Sequence, residues 1–274
     1  MKIAVCGKGG SGKSTIVALL ANEARAKGYR VLVVDSDESN SGLFRMLGFD
    51  RPPVPLMELV GGKKSLKQKM AQPSVLAESR ISLDDVSPQH LVQKDGLTLV
   101  SIGKILQSLE GCACPMGVLS REFLKKLTLK TDELAIVDME AGVEHFGRGV
   151  ETSVDSVLIV VEPPLESVEV AEKIHGLATG VGIMSVWAIL NKVPSGEIAT
   201  RLKGELQKRH MEVVGCIYVD ADIFSSSLDG SIPVNGIAVR EIKEVLNSIL
   251  SRAGLRPPDD TGLASSTLHS DGGR

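Results

Sequence analysis

Gly7-Lys8-Gly9-Gly10-Ser11-Gly12-Lys13-Ser14-Thr15 follows directly on the apolar run Ile3-Ala4-Val5-Cys6. The stretch fits G-x-x-x-x-G-K-[ST], the pattern of a phosphate-binding loop set between a strand and a helix. A triphosphate needs many donors close to the backbone, and side chains would obstruct them. Gly7, Gly9, Gly10 and Gly12 remove the obstruction, so the loop N–H groups can form an anion nest at the start of the next helix. In this pattern Lys13 reaches the β- and γ-phosphates and the Ser14 hydroxyl is a Mg²⁺ ligand. The context agrees. Residues 2–6 read as a strand, and residues 15–26 carry helical periodicity that closes at Gly28. A nucleoside triphosphate with Mg²⁺ is the expected ligand, and Gly9, Gly10, Ser11, Gly12, Lys13, Ser14 and Thr15 are the expected binding loop.

Outward from the loop, apolar strands alternate with helical patterns. Strands are expected at 2–6, 30–35, 97–102, 134–138, 156–161, 185–191 and 212–218. Helices are expected at about 13–27, 64–71, 116–129, 164–177, 195–209 and 237–252. Such alternation predicts an α/β fold, a doubly wound, mostly parallel sheet flanked by helices. At 274 residues, with 3% aromatics and the apolar content carried by aliphatic residues, the chain suits a buried parallel sheet. Residues 1–253 read as one domain, with an irregular, mobile surface insertion at 50–95 that carries Lys63, Lys64, Lys67 and Lys69. Residues 254–274 read as a disordered tail.

A net charge of −3 gives no general basic character and argues against nucleic acid as a partner. No window of about 18 apolar residues suggests a membrane span, and the chain enters a strand at once without a leader, so a cytoplasmic protein is expected. Four cysteines in this length do not make a disulfide framework.

Two further strands end in carboxylates. Val31-Leu32-Val33-Val34 leads to Asp35-Ser36-Asp37, and the i, i+2 spacing places Asp35 and Asp37 on one side of an extended chain. Leu134-Ala135-Ile136-Val137-Asp138 is a Walker B signal, in which Asp138 would hold a magnesium-bound water. Gly142 completes D-x-x-x-G, whose glycine N–H faces the γ-phosphate and couples it to a switch loop. Ala188-Ile189-Leu190 leads to Asn191-Lys192, and an amide here can pair with the edge of a base.

Gly111-Cys112-Ala113-Cys114-Pro115 offers two thiols to one soft or borderline metal, Ni²⁺ or Zn²⁺. A four-sulfur site needs two more, which a homodimer with its twofold axis at this loop would supply. A redox pair or two inert thiols are the other readings. Cys6 and Cys216 sit inside strands and read as small core residues.

The pattern K-G-G-x-G-K-[ST]-T, with its extra Lys8, resembles the deviant Walker A motif of the MinD/ParA/nitrogenase-iron-protein superfamily, the SIMIBI class of P-loop NTPases. The resemblance implies an ATPase (ATP and water to ADP and phosphate) acting as a homodimer. Lys8 would cross the interface to the partner's nucleotide, as an arginine finger does. It further implies that Asp37 orients the attacking water, that Asp35 is structural or belongs to the magnesium shell, and that Asn191 reads adenine.

Asp138-Met139-Glu140-Ala141-Gly142-Val143-Glu144-His145-Phe146-Gly147-Arg148-Gly149 is similar to a segment of CooC-type ATPases, which serve nickel insertion into carbon monoxide dehydrogenase and acetyl-CoA synthase. The Cys-x-Cys-Pro loop and Leu56-Met57-Glu58-Leu59-Val60-Gly61-Gly62-Lys63-Lys64 resemble the same family, and the likeness covers roughly residues 1–250. It implies an ATP-dependent metallochaperone with a nickel enzyme as client, metal at Cys112 and Cys114, and His145 as a ligand or, more in keeping with its place, a switch-loop residue. Asp37-Glu38-Ser39-Asn40 departs from the family, where Asp-Pro is usual. The alternatives are an iron–sulfur carrier or reductase of the nitrogenase-iron-protein type, and a partitioning-type ATPase. The acidic, Ser/Gly-rich end argues against the membrane or DNA contacts of that last group.

Overall fold

The computed structural model describes residues 1–38, 41–103, 114–143 and 153–258. Eight strands form one sheet: β1 (Lys2–Gly7), β2 (Arg30–Asp35), β3 (Val92–Lys94), β4 (Leu97–Ser101), β5 (Glu133–Asp138), β6 (Ser156–Val161), β7 (Ser185–Val193) and β8 (Glu212–Tyr218). Their order is β3-β4-β2-β5-β1-β6-β7-β8, parallel throughout except for the antiparallel β3–β4 pair. The expected doubly wound sheet is therefore the observed one. From β1 the chain first lays β2, β3, β4 and β5 on one side, with β5 inserted beside β1, and then builds β6, β7 and β8 outward on the other, so the switch point lies at β1. In such sheets the ligand crevice opens at the carboxyl ends of the strands there.

The central strands are buried on both faces, which explains their nearly unbroken apolar sequences. Side chains alternate: Ile3 and Val5 enter one core with Val31, Val33 and Trp187, while Ala4 and Cys6 enter the other with Leu32, Val34 and Val137. The first core is covered by α1 (Lys13–Ala26) and α9 (Ile237–Arg252). The second is covered by α5 (Cys114–Lys126), α6 (Leu165–Gly180) and α7 (Gly196–Lys208). Among the described residues no helix is long and apolar enough to cross a membrane.

Three local readings change. β3 was absent from the expected strands, yet Asp95 (φ 50°) and Gly96 (φ 80°) make a two-residue turn between β3 and β4. Asp-Gly between strands favours the tight hairpin turn with positive φ at both positions. The insertion is not confined to the surface. It contains α3 (Leu56–Leu59) and α4 (Gly62–Lys69), and it buries Leu56, Leu66, Val75, Leu76 and Ile81 in the second core. Glu122 on α5 anchors it, accepting from the Val75 N–H at 2.7 Å, from the Leu76 N–H at 3.3 Å and from the Ser74 hydroxyl, and pairing with Lys126 at 2.7 Å. Burial raises the Glu122 pKa, but Lys126, the Ser74 hydroxyl and the two N–H groups outweigh it and hold the carboxyl at about 2.

The beginning of the expected tail is also tied down. The Tyr29 hydroxyl donates to the Arg256 carbonyl at 2.8 Å, and Leu255 packs against the first core. Residues 259–274 lie outside the described residues.

Candidate functional site

The loop of residues 7–15 joins β1 to α1 at the switch point. Gly12 immediately precedes α1 with φ 93°, and a Cβ there would strike the Asn191 amide. Gly7 has φ 145°, and a Cβ there would lie 2.5 Å from the Val160 carbonyl oxygen. Both positions therefore demand glycine, on backbone conformation and on space. Lys13, buried at 6% exposure, folds back so that its ammonium donates to the Lys8 carbonyl at 3.3 Å. The Ser11 N–H donates to the same carbonyl at 3.2 Å.

The carboxylates converge as the i, i+2 spacing predicts. β2 and β5 are neighbours with Asp35 opposite Asp138, and the charges of Asp35 and Asp37 both act on Asp138. Ser36, between them, faces the other way and shares a 2.7 Å hydrogen bond with Ser120 on α5. The Ser14 hydroxyl donates to Asp138 Oδ2 at 2.6 Å. Burial, reinforced by Asp35 and Asp37 and opposed by Ser14 and Lys13, pushes the Asp138 carboxyl up to about 7. Asp138 Oδ1 is buried without a hydrogen-bond partner. A hard divalent cation fits this set: Ser14 would hold it directly, with the Asp138 carboxylate behind, and phosphate oxygens and water would complete the shell. Its charge would supply electrostatic relief to the phosphates. Among the described residues no group of three or more His, Cys, Asp or Glu side chains is placed to hold a metal alone.

A cavity of about 530 Å³ opens beside the loop. One wall is Gly10, Gly12, Lys13, Ser14, Thr15 and Asp37. The other is Asn191 and Lys192 from β7, Tyr218, Val219 and Asp220 after β8, and Ile223, Phe224 and Ser227 from α8 (Ala221–Leu228). The volume falls within the range of small-molecule sites. Lys8, half-buried, does not line it.

Two expected roles meet different geometry. One Asn191 N–H donates to the Ser11 carbonyl at 2.8 Å, so part of the amide serves the loop, and its oxygen and second N–H remain for a base. The Gly142 N–H, expected to face a γ-phosphate, here donates to the Gly7 carbonyl at 3.2 Å.

The α8 wall was missed in the sequence. Its usable signal was Asp220, whose side chain accepts from the Asp222 N–H at 2.8 Å and caps α8. The other Asp220 oxygen accepts from the Ala238 N–H at 3.0 Å at the start of α9, and Glu241 accepts from the Tyr218 N–H at 3.0 Å. Of the remaining cysteines, Cys6 is buried as expected, while Cys216 is half-buried and burial pushes its thiol up to about 11. Cys112 and His145 lie outside the described residues. Cys114 opens α5, and its side chain is outside them too.

The CobQ/CobB/MinD/ParA nucleotide binding domain matches residues 2–234 of this chain. An uncharacterized ATP-binding protein of Methanocaldococcus jannaschii is 49% identical over 70% of this chain and 79% of its own length. The carbon monoxide dehydrogenase accessory protein CooC of Rhodospirillum rubrum is 36% identical over 71% of this chain and 75% of its own. In three dimensions the septum site-determining protein MinD of Pyrococcus horikoshii, complexed with Mg-ADP, superposes with a TM-score of 0.68 at 19% identity, covering 92% of this chain and 97% of that one. A phosphate loop at the switch point, a buried Walker B carboxylate bonded to the loop serine, and these likenesses lead to one conclusion: the chain belongs to the CobQ/CobB/MinD/ParA nucleotide-binding family and is an ATP-hydrolysing P-loop enzyme.

Proposed function

We propose that this enzyme is an ATP-switched homodimer in which Lys8 of each protomer serves the nucleotide of the other. The observation that carries the reading is the division of labour between two lysines of one loop. Lys13 lies in the cavity, whereas Lys8 is carried by the same loop and does not line it. A cation supplied in trans would neutralise charge developing on the transferred phosphoryl group only when the dimer is closed. Asp37 lines the cavity, and in this reading it would orient the attacking water. Sedimentation of the protein with ADP and with a non-hydrolysable ATP analogue tests this. A dimer is expected with the analogue and not with the Lys8→Ala variant.

Two outputs of such a switch have support. One is a partitioning-type ATPase, the reading that goes with MinD, whose fold this chain shares over nearly its whole length. At 19% identity that likeness carries the fold and no more. The 36% likeness to CooC and the Cys112-x-Cys114-Pro115 sequence support a metallochaperone, with Ni²⁺ or Zn²⁺ as cargo between four thiolates and a nickel enzyme as client. Anaerobic titration with Ni²⁺, Zn²⁺ and Fe²⁺ separates the two. The metallochaperone reading expects one metal per dimer, lost in Cys112→Ser/Cys114→Ser. The partitioning reading expects no such metal, and instead ATP-dependent pelleting with DNA or anionic vesicles.

A further inference from the structure

Asn191 and Lys192 are consecutive residues at the end of β7, and consecutive strand residues ordinarily point to opposite faces. Here both reach the phosphate loop. Asn191 donates to the Ser11 carbonyl at 2.8 Å, and the Lys192 ammonium donates to the Gly10 carbonyl. The backbone shows how. The β7–β8 register shifts between Leu190 and Val193, and Lys192 has φ 55°, one of three non-glycine residues with positive φ among those described. A lysine gains nothing locally from that left-handed conformation, and such outliers cluster at functional sites. The bulge turns the second side chain onto the same target as the first. Glu162, just beyond the end of the adjacent β6, then pairs with the Lys192 ammonium at 3.5 Å, the glutamate 15% exposed and the lysine 51%.

We propose that Lys192, steadied by Glu162, is a positioning residue of the ATPase that holds the tip of the phosphate loop in its binding conformation. In a trans peptide the carbonyl and the following N–H point in opposite directions. Drawing the Gly10 and Ser11 carbonyls toward β7 therefore fixes the direction of the Ser11 and Gly12 N–H groups. Carbonyls are the groups a polyanion must not meet. A cation on one and an amide on the next keep them turned aside before any nucleotide arrives. The loop has four glycines within six residues, Gly7 to Gly12, so the direction of its peptide groups depends on contacts of this kind. Pre-organisation of this kind strengthens nucleotide binding without entering the chemical step.

The test separates this role from a structural one, because the backbone at residue 192 suits glycine better than lysine. Lys192→Gly relieves the left-handed strain and removes the ammonium. Its melting temperature without nucleotide is expected to equal or exceed that of the wild type. Its Kd for Mg-ADP and KM for ATP are expected to rise about tenfold, the effect of losing a charge-assisted hydrogen bond, with kcat within about twofold. Lys192→Arg keeps the charge and should recover most of the affinity, and Glu162→Gln should shift KM in the same direction by less. Wild-type Kd and KM in Lys192→Gly would overturn the proposal. So would a loss of affinity matched by a fall in melting temperature, or a fall in kcat at unchanged KM.

Discussion

On the phosphate side of the cavity Lys13 is 6% exposed, Asp138 is fully buried, and every element comes from the middle of the sheet. On the opposite side α8 buries none of its eight residues and Phe224 is 69% exposed. The difference follows from position. β1, β2 and β5 are paired on both edges and packed on both faces, so their loops inherit fixed directions. β8 is an edge strand, and its following loop is held by two carboxylates, Asp220 and Glu241. The wall that must stabilise charge is rigid before the ligand comes, as electrostatic preorganisation requires. The wall across the cavity from the loop is lightly packed, with none of the α8 residues buried.

Substitutions on the two walls should therefore differ in size and kind. The largest effect is expected from Lys13→Ala, which should lower kcat/KM for ATP by roughly 10²–10³-fold in a phosphate-release assay. Gly12→Ala should come next, because a Cβ at φ 93° meets the Asn191 amide. It is expected to cost about 1–3 kcal/mol in urea denaturation and to weaken nucleotide binding by roughly tenfold or somewhat more. Phe224→Ala, on the exposed wall, should weaken Mg-ADP binding by less than about tenfold and leave the melting temperature unchanged. A large loss of stability there would break the contrast between the walls.

A pH experiment extends the comparison to the insertion. The Glu122 carboxyl is held at about 2 in the folded protein against 4.5 unfolded. Its stabilisation is therefore full above pH 4.5 and is lost as pH falls from there toward 2. Glu122→Gln should melt a few degrees below the wild type at pH 7, with the gap closing as the pH approaches 2. The ATPase KM at pH 7 should change least of all, since Glu122 reaches the site only through α5.

How far the sequence carried these conclusions depended on how local each signal was. The phosphate loop, Asp35, Asp37 and Asp138 were legible because a strand ending in a loop is a contiguous pattern and the sheet brings such ends together. The α8 wall was not. Ile223, Phe224 and Leu228 lie on a helix of only eight residues, too short a run for helical periodicity to stand out from a loop. The insertion misled because Leu56, Leu66 and Leu76 enter one core from three short pieces with no shared period. Asp95-Gly96 was a readable hairpin signal that went unused. Lys192 was visible as a residue but not as a contact, since its reach to Gly10 depends on a bulge that periodicity does not encode.

The central claim is that each active site joins Lys13 of one protomer to Lys8 of the other. Mixing Lys8→Ala with Lys13→Ala protein, each nearly inactive alone, tests it most directly. A hybrid dimer would contain one complete site, so an equal mixture should recover about a quarter of wild-type ATPase activity if the subunits exchange freely. A mixture no more active than its two components, or full activity in Lys8→Ala alone, would contradict the account.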